Sequence, residues 1–329
     1  MKTKITAFVI SVIMICGTLV GCGKEKVKMH TYEANINSEP FKLTYPVEKD
    51  GVVLKTESEI AEIDKSCAKA VANALFMFSS ENSAGVGEIN KSVDAVFDCS
   101  EKLMDLLNYT YTVSGITGGK YQPVFGAVTE LYKGDSEVTD EAIAEAMTHT
   151  GLELITLEEN SIIKADRNAK LDYESISAGY ALADAAAVLS VNGIDYAVLT
   201  YMNTVTTFGQ ISEKEKVDLA VYSCGSDESY HGVLSFTNAV VTTCNKDDLV
   251  IDVETGKKAE NIHDTVVVIS NDGILSNALA PVFYTMTTEE IQKLYDSRLI
   301  KFEAIVIEED GEVHLTSENV EYKRNMAEE

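Results

Sequence analysis

The chain has 329 residues, of which 45% are apolar, so it can bury a substantial core in one large domain or two small ones. Its formal net charge of −26, without a block rich in lysine and arginine, argues against nucleic acid as a partner, because phosphates bind to basic faces. The acidity favours a soluble, self-repelling surface. It leaves a phosphate ligand open, since backbone amides or a bound cation can supply the attraction.

The first 21 residues have the layout of a secretory signal peptide. Lys2 and Lys4 precede an apolar run over residues 5–20, and the run ends in Leu-Val-Gly-Cys at residues 19–22. This end resembles the lipobox of bacterial lipoproteins, with an uncleaved membrane anchor and a simple secretory signal as the alternatives. We therefore expect lipidation at Cys22, attachment to the extracytoplasmic face of the cell membrane through that lipid, and a tether with leading strands over residues 22–54.

The body of the chain combines helices and strands, and strands dominate its second half. Apolar residues at helical spacing predict helices at 57–77, 92–109, 124–132, 139–147, 276–286 and 288–295, with Thr139 and Thr288 as N-caps. Runs of β-branched residues and turn residues predict one or two edge strands within 31–45, hairpins at 154–165 and 302–315, and strands at 217–222, 232–236, 239–243 and 265–270. The tail, residues 323–329, is predicted to be disordered.

The stretch from residue 171 to residue 205 has the pattern of a strand–helix–strand unit. A strand start at Leu171 leads into a polar turn at 173–177, and an alanine-rich helix opened by Gly179 and Tyr180 follows. A second strand is predicted at 196–199. A turn whose amides point at a helix start is a natural phosphate site. Ordinary packing is the alternative interpretation, because single glycines are weak motifs.

The cysteines and histidines do not form a metal-like pattern. Cys67, Cys99, Cys224 and Cys244 lie outside the signal and the lipobox, and they are widely spaced. We expect buried free thiols, with a disulfide between Cys224 and Cys244 as the alternative, because both follow neighbouring strands. The five histidines are scattered, so core or surface roles are expected for them: His30, His149, His231, His263 and His314.

Five stretches carry, in order, motifs that recur together in one protein family. They are residues 84–90, similar to a segment ending SEISRxN; 117–126, similar to TGGxFDPTVGPL; 171–183, similar to LDLGGIAKGYAVD; 249–256, similar to HIIDPRTG; and 276–281, similar to ADALAT. Each motif alone is weak. Together they resemble the bacterial ApbE-type lipoproteins, the FAD:protein FMN transferases, over roughly residues 55–310.

The resemblance implies an α+β fold, related to the T-fold, in which mixed sheets and packed helices hold the cofactor in a cleft between two lobes. The corresponding domain would span residues 55–315, followed by a tail at 316–329. Family members use FAD as substrate, bridge its pyrophosphate with Mg²⁺, and transfer FMN to a Thr or Ser of an acceptor protein while AMP leaves. A divalent cation suits this chemistry because it neutralises the leaving phosphate, and hard oxygen ligands suit Mg²⁺.

The resemblance also assigns site positions. It places cofactor contacts at Gly118, Gly119, Glu174, Ser175, Ala178, Tyr180, Asp252 and Thr255, and metal contacts at Ser177 and Asn277.

The chain departs from the family pattern where the family places its chemistry. The metal-binding Asp and Thr of ADALAT are Asn277 and Pro281, the Lys of GIAKG is Ala178, and the paired glycines are Glu174 and Ser175. Two hypotheses follow. The chain is either a membrane-tethered flavin transferase with a weakened site, or a non-catalytic lipoprotein of the same fold that binds flavin or a protein partner.

Overall fold

The computed structural model describes residues 26–92, 96–134, 137–159, 161–210, 216–222, 230–260 and 263–325. The signal peptide and the lipidation of Cys22 fall outside these ranges and stay predictions. Within the described part of the chain, none of the helices combines the length and apolar character that crossing a bilayer requires.

Fifteen strands are described, and every pair among them is antiparallel. They are β1 (Val27–Ile36), β2 (Glu39–Lys49), β3 (Val52–Val53), β4 (Val96–Asp98), β5 (Ile155–Glu158), β6 (Ser161–Lys164), β7 (Ala197–Tyr201), β8 (Thr204–Phe208), β9 (Val217–Tyr222), β10 (Tyr230–Phe236), β11 (Val240–Asn245), β12 (Thr265–Ser270), β13 (Glu303–Ile307), β14 (Val313–Leu315) and β15 (Glu321–Arg324). Nine form one sheet in the order β1-β2-β7-β8-β11-β12-β13-β14, with β3 added to β2. Two three-stranded sheets follow the orders β15-β10-β9 and β4-β6-β5.

Eight α-helices accompany these sheets in the described ranges. They are α1 (Glu57–Phe78), α2 (Val86–Lys91), α3 (Glu101–Ile116), α4 (Gly126–Thr129), α5 (Asp140–Met147), α6 (Ser177–Val191), α7 (Gly273–Tyr284) and α8 (Thr288–Ser297). The predicted α+β class is therefore confirmed, and the helices predicted at 57–77 and 139–147 are present with shifts of at most a residue or so at their ends.

The nine-stranded sheet lies between a helical layer and the small sheet β15-β10-β9. Alternation along β12 shows this directly, because Val266 and Val268 pack in the cluster that contains α3 and α7, whereas Val267 packs with β9 and β10. A second helical cluster joins α1 and α6 to β2 and β7. The sheet is thus covered on both faces, and the strands read as continuous apolar runs for that reason.

The helix predicted at 92–109 is wrong at both ends. Helix α2 ends at Lys91, β4 occupies part of the predicted span, and α3 begins only after Ser100, whose hydroxyl accepts from the N–H of Leu103 at 3.4 Å. The N-cap of α8 is Thr287 rather than Thr288. Thr287 forms a capping box with Glu290, which satisfies two backbone donors at once.

Strand assignments differ from the predictions in four places. Lys323 and Arg324, predicted to be disordered, pair with β10 as part of β15, because the edge of that sheet offers unpaired backbone groups. Strand β8 was missed, and β2 is an interior strand between β1 and β7 rather than an edge. Leu171 starts no strand. The side chain of Asn90 takes the place of a neighbouring strand, bonding both the N–H and the C=O of Leu171 at 2.8 Å.

The cysteines behave mostly as expected. Cys67 and Cys244 are buried thiols outside any disulfide, and Cys99 is half-buried. Cys224 lies outside the described residues. Burial first, and then the neighbouring Asp64, raises the pKa of Cys67 to about 12, so its thiol stays protonated at neutral pH.

Candidate active site

Four of the five motifs meet around one small cleft of about 150 Å³. The residues that line it come from the turn after α3, from α4, from the segment before α6, from the segment before β12, and from the second half of α7 with its C-cap: Lys120, Tyr121, Gln122, Phe125, Thr129, Asp172, Ser175, Leu249, Val250, Ile251, Val253, Pro281, Val282 and Thr285. The fifth motif does not line the cleft. Its Asn90 forms hydrogen bonds to Leu171, the residue before Asp172, and so stabilises one wall of the cleft. Distant parts of the sequence therefore build one concave site.

Asn277 is buried at the crossing of α6 and α7, and both the oxygen and the nitrogen of its side-chain amide form hydrogen bonds within the protein. Its Oδ1 accepts from the backbone N–H of Gly179 at 2.7 Å, and its Nδ2 donates to the hydroxyls of Thr204 at 2.8 Å and Thr242 at 2.6 Å. A neutral amide donates and accepts at once, as this arrangement requires. Asn277 thereby joins two helices to β8 and β11.

The helix crossing at Asn277 requires two glycines. A Cβ on Gly179 would lie 2.1 Å from the carbonyl oxygen of Gly273, and a Cβ on Gly273 would lie 2.5 Å from that of Gly179. Without side chains, the first turns of α6 and α7 touch backbone to backbone, which brings Asn277 within reach of the Gly179 amide. The glycine in the motif at 171–183 is thus explained by close helix packing.

The turn before α6 has fewer backbone N–H groups free to bind a phosphate than the sequence predicts. The N–H of Glu174 donates to Asp172 Oδ1 at 3.0 Å, that of Ile176 to the carbonyl of Tyr173 at 3.3 Å, and that of Gly179 to Asn277. Ser177 turns its hydroxyl back to the carbonyl of Glu174 at 2.7 Å. A phosphate at this turn would therefore compete with bonds that the protein already makes.

Glu174 and Ser175 occupy the positions of the family's paired glycines, and they point to different surroundings. The Glu174 carboxylate forms an ion pair with Lys133, which also donates to Ser80 at 3.0 Å. This contact ties the segment before α6 to the end of α1 and to the residues after α4. Ser175 lines the cleft. The Glu174 carboxylate thus forms its ion pair with Lys133 at the rim of the cleft.

The remaining predicted contacts divide between the rim and the core. Gly118 and Gly119 adopt φ of +64° and +84° after α3, with open space where a Cβ would lie, and the next residue, Lys120, contacts Glu254 at 3.4 Å. This contact brings the glycine turn beside the 252–255 turn. Ala178 is buried in the α1–α6 core.

Asp252, Thr255 and Tyr180 have structural contacts of their own. Asp252 Oδ1 accepts from the Thr255 N–H at 2.8 Å and hydroxyl at 3.1 Å, so both side chains stabilise the turn. Tyr180 packs edge-on against Phe78, with ring centroids 5.0 Å apart, and the Lys102 ammonium lies 4.9 Å from its ring centroid. These three residues do not line the cleft, whereas Ser175 does.

Asp172 and Tyr121 are the polar groups of the cleft with unusual surroundings. Burial, followed by the nearby Glu174 charge, raises the pKa of Asp172, against hydrogen bonds from Glu174 N–H and the Thr129 hydroxyl. The Tyr121 hydroxyl is buried and makes no hydrogen bond in the described structure. A buried hydroxyl without a partner is costly unless a ligand or water satisfies it. Both groups therefore make the cleft a candidate binding site.

Comparisons with known proteins agree with this arrangement of motifs. The model of the ApbE family matches residues 41–306. The chain belongs to the ApbE family. No curated protein matches the sequence significantly.

Solved structures show the same fold at low sequence identity. The ApbE protein of Thermotoga maritima superimposes with a TM-score of 0.76 at 18% identity, covering 89% of this chain and 98% of that chain. The flavin transferase ApbE of Vibrio cholerae gives 0.74 at 17% identity, covering 88% and 98%. The apo flavinyl transferase ApbE of Pseudomonas stutzeri gives 0.72 at 17% identity, covering 88% and 94%.

The Mg²⁺ that the ApbE family implies does not fit the residues present here. Asn277 offers a buried neutral amide whose oxygen already accepts from Gly179 N–H, Pro281 has no side-chain oxygen, and Ser177 turns its hydroxyl towards the carbonyl oxygen of Glu174. No group of three or more His, Cys, Asp and Glu residues that could hold a metal ion occurs in the described ranges. Because Mg²⁺ takes a near-octahedral set of hard oxygen ligands, usually with a carboxylate among them, these residues fit it poorly.

A cavity of about 400 Å³, larger than the cleft, lies elsewhere in the protein, and sequence reasoning missed it. It lies between the turn end of the β1–β2 hairpin, the β7–β8 turn, β9 and the end of β11. Apolar residues of its lining belong to the cluster between the nine-stranded sheet and the small sheet β15-β10-β9, whereas apolar residues of the cleft lining belong to the cluster on the helical face. Small-molecule sites commonly measure about 300–1,000 Å³, a range that the cavity reaches and the cleft does not.

Proposed function

We propose that this ApbE-family protein acts as a flavin transferase: it takes FAD as donor and passes FMN to a Thr or Ser of an acceptor protein. The observation that carries the proposal is the meeting of four motifs around one cleft that contains a buried, unpartnered Tyr121 hydroxyl. The fold shared with solved flavin transferases supports it. The cleft of about 150 Å³ is smaller than most small-molecule sites, so FAD would have to widen it on binding.

The residues of the cleft suggest how the reaction would proceed. The acceptor hydroxyl oxygen attacks the phosphorus of the FMN half, the bond from that phosphorus to the bridging oxygen breaks, and AMP leaves. Lys120 is the cation among the described lining residues, and it is placed to offset phosphate charge. Asp172 is the carboxylate among them, and its raised pKa suits it to receive the hydroxyl proton.

A second candidate, a flavin-binding or partner-binding protein without transferase activity, is favoured by Asn277. Its neutral amide binds Gly179, Thr204 and Thr242 where the family pattern places a carboxylate. Without the cation that offsets pyrophosphate charge, the transfer would lose several kcal/mol of transition-state stabilisation. Flavin binding can survive this loss, because it depends on shape and hydrogen bonds as well as charge.

One experiment separates the two candidates. The chain is incubated with FAD, Mg²⁺ and a flavin-acceptor protein, and the acceptor is weighed by intact-mass spectrometry. Covalent FMN on the acceptor supports transfer, and it should vanish in Asp172→Asn but persist in Asp105→Asn, which changes an exposed carboxylate on α3. A calorimetric titration with FAD alone tests whether the protein binds the flavin. FAD binding without transfer supports the second candidate. If neither FAD binding nor FMN transfer is detected, both candidates are rejected.

We also propose where the protein is located: a lipid on Cys22 holds the domain at the extracytoplasmic face of the cell membrane. The Leu-Val-Gly-Cys sequence behind a basic and apolar leader supports this. The mass of the mature N-terminal peptide tests it, since lipidation adds a diacylglycerol to Cys22.

A further inference from the structure

An exposed apolar segment projects at the edge of the nine-stranded sheet. Val52 and Val53 form β3 and are each 64% exposed, and Leu54 follows at 43%. We call residues 52–54 the β3 tip. Soluble proteins seldom expose three consecutive large apolar side chains without a function.

The β3 tip has little packing role in the fold. Its strand pairs only with the end of β2, Val53 opposite Glu48 and Val52 opposite Lys49. No other described strand pairs with β3. The side chains of the tip therefore add little to the core, and a partner outside the chain has access to them.

The start of the described chain is fixed beside this tip. The N–H of Lys26 donates to Asp50 Oδ1 at 2.9 Å, and the N–H of Asp50 donates to the Lys26 carbonyl at 2.7 Å. Asp50 is two residues from Val52. Four residue steps separate Cys22 from Lys26, and they span at most about 14 Å at roughly 3.5 Å each. A lipid on Cys22 would therefore hold the tip close to the bilayer surface.

The charge around the tip also differs from that of the whole chain. Lysines 26, 28, 49 and 55 lie in residues 26–28 and 48–59, against the carboxylates of Glu48, Asp50, Glu57 and Glu59, so this end is formally neutral. The whole chain carries −26. Anionic phospholipid attracts lysines near the surface and repels an acidic body, so this end is the favourable one to turn towards a membrane.

We propose that the β3 tip is a membrane-contacting surface that inserts Val52, Val53 and Leu54 into the interfacial region of a phospholipid bilayer. This inference rests on the lipid anchor proposed above and is independent of the transferase activity. The tether supplies a high local concentration, so three apolar side chains suffice to fix an orientation that they could not hold alone. The opposite sheet edge, β14, then faces away from the membrane.

The absence of tryptophan from the sequence makes the test direct. Val53→Trp and Leu315→Trp each introduce a single fluorophore at an exposed apolar position. Leu315 lies on β14, six strands from β2 in the sheet order, which is about 29 Å at roughly 4.8 Å per strand. The lipidated full-length variants are reconstituted into phosphatidylglycerol-containing vesicles, with and without acyl-chain-brominated lipid.

Bromine quenches indole fluorescence at short range, so quenching reports burial in the bilayer. We expect brominated lipid to reduce the emission of Val53→Trp by about half or more and to leave that of Leu315→Trp within about 10%, as expected for interfacial insertion at one end only. Equal quenching of the two variants, or no quenching of Val53→Trp, would contradict the proposal that the β3 tip contacts the membrane. An unlipidated mature N-terminus would contradict both the lipid anchor and the membrane contact of the β3 tip. None of these outcomes bears on FMN transfer, which is tested separately.

Discussion

The side chain of Asn277 closes a hydrogen bond of 2.7 Å to the backbone N–H of Gly179, and this contact joins the first turns of α6 and α7. The same amide donates to Thr204 and Thr242 on the neighbouring strands. A position that the family pattern gives to a metal-binding carboxylate thus holds a neutral group with a packing function. The stability of the site and its response to metal should therefore be separable by mutation.

Replacing Asn277 with alanine should destabilise the fold by about 2–4 kcal/mol, because it leaves the Gly179 N–H without its acceptor and opens a small buried space. Urea denaturation measures the change. The control is Asn192→Ala, which removes an exposed asparagine at the end of α6 that donates to Val188 O, and it should cost less than about 0.5 kcal/mol. Similar losses in the two variants would show that the Asn277 network contributes nothing special.

Divalent cations should not stabilise the wild-type protein. We expect Mn²⁺ or Mg²⁺ to leave its melting temperature unchanged, because Asn277 offers only a buried neutral amide and Pro281 has no side-chain oxygen. In the double variant Asn277→Asp with Pro281→Thr, oxygen ligands return, and saturating Mn²⁺ at about tenfold over its Kd should add about 1.4 kcal/mol of stability. A chelator-reversible shift in the wild type would contradict this view of the site.

Gly179 and Gly115 form a matched pair of helical glycines. Gly179→Ala places a Cβ 2.1 Å from the Gly273 carbonyl oxygen and should cost about 3 kcal/mol or more, since backbone must move. Gly115→Ala meets no atom within 4 Å in α3 and should stabilise by about 0.5–1 kcal/mol through helix propensity. Thermal unfolding of both variants checks the contrast. Equal effects would mean that the α6–α7 crossing relaxes freely.

The sequence predicted most of this fold because its signals are local. The strand at 265–270 and the helix capped by Thr139 follow from β-branched runs and capping residues alone. The missing strand at Leu171 shows where local signals end, since Asn90, 81 residues earlier, supplies the hydrogen bonds of a neighbouring strand. The meeting of motifs follows from family likeness, whereas the hydrogen bonds of the Asn277 amide depend on contacts that no local pattern contains.

Cys67 should be chemically inert in the folded protein. Its thiol is buried beside Ala185 O, and its pKa is raised to about 12, first by burial and then by Asp64. The thiolate fraction at pH 8 is then on the order of a thousandfold below that of an ordinary thiol. Labelling with iodoacetamide, followed by peptide mass spectrometry, should modify Cys67 only after denaturation and half-buried Cys99 sooner. Rapid native labelling of Cys67 would indicate local opening between α1 and α6.

Asp172 should make stability fall as pH rises. Its pKa in the folded state is raised above the unfolded value near 3.9, chiefly by burial and then by Glu174, so the folded protein holds the proton more tightly. This contribution is fully present below the unfolded pKa and is lost as pH rises through the folded pKa. At pH 7 the buried carboxylate is therefore a cost to the fold.

Asp172→Asn removes that cost while keeping an oxygen for the Glu174 N–H. Its melting temperature should exceed that of the wild type at pH 7, and the difference should shrink as pH falls below 4. Asp105→Asn, at an exposed position of α3, should give no such pH-dependent difference. A less stable Asp172→Asn at pH 7 would mean that the attraction of Lys133 outweighs burial. If transfer also disappears in the more stable variant, the carboxylate is retained for chemistry at the expense of stability.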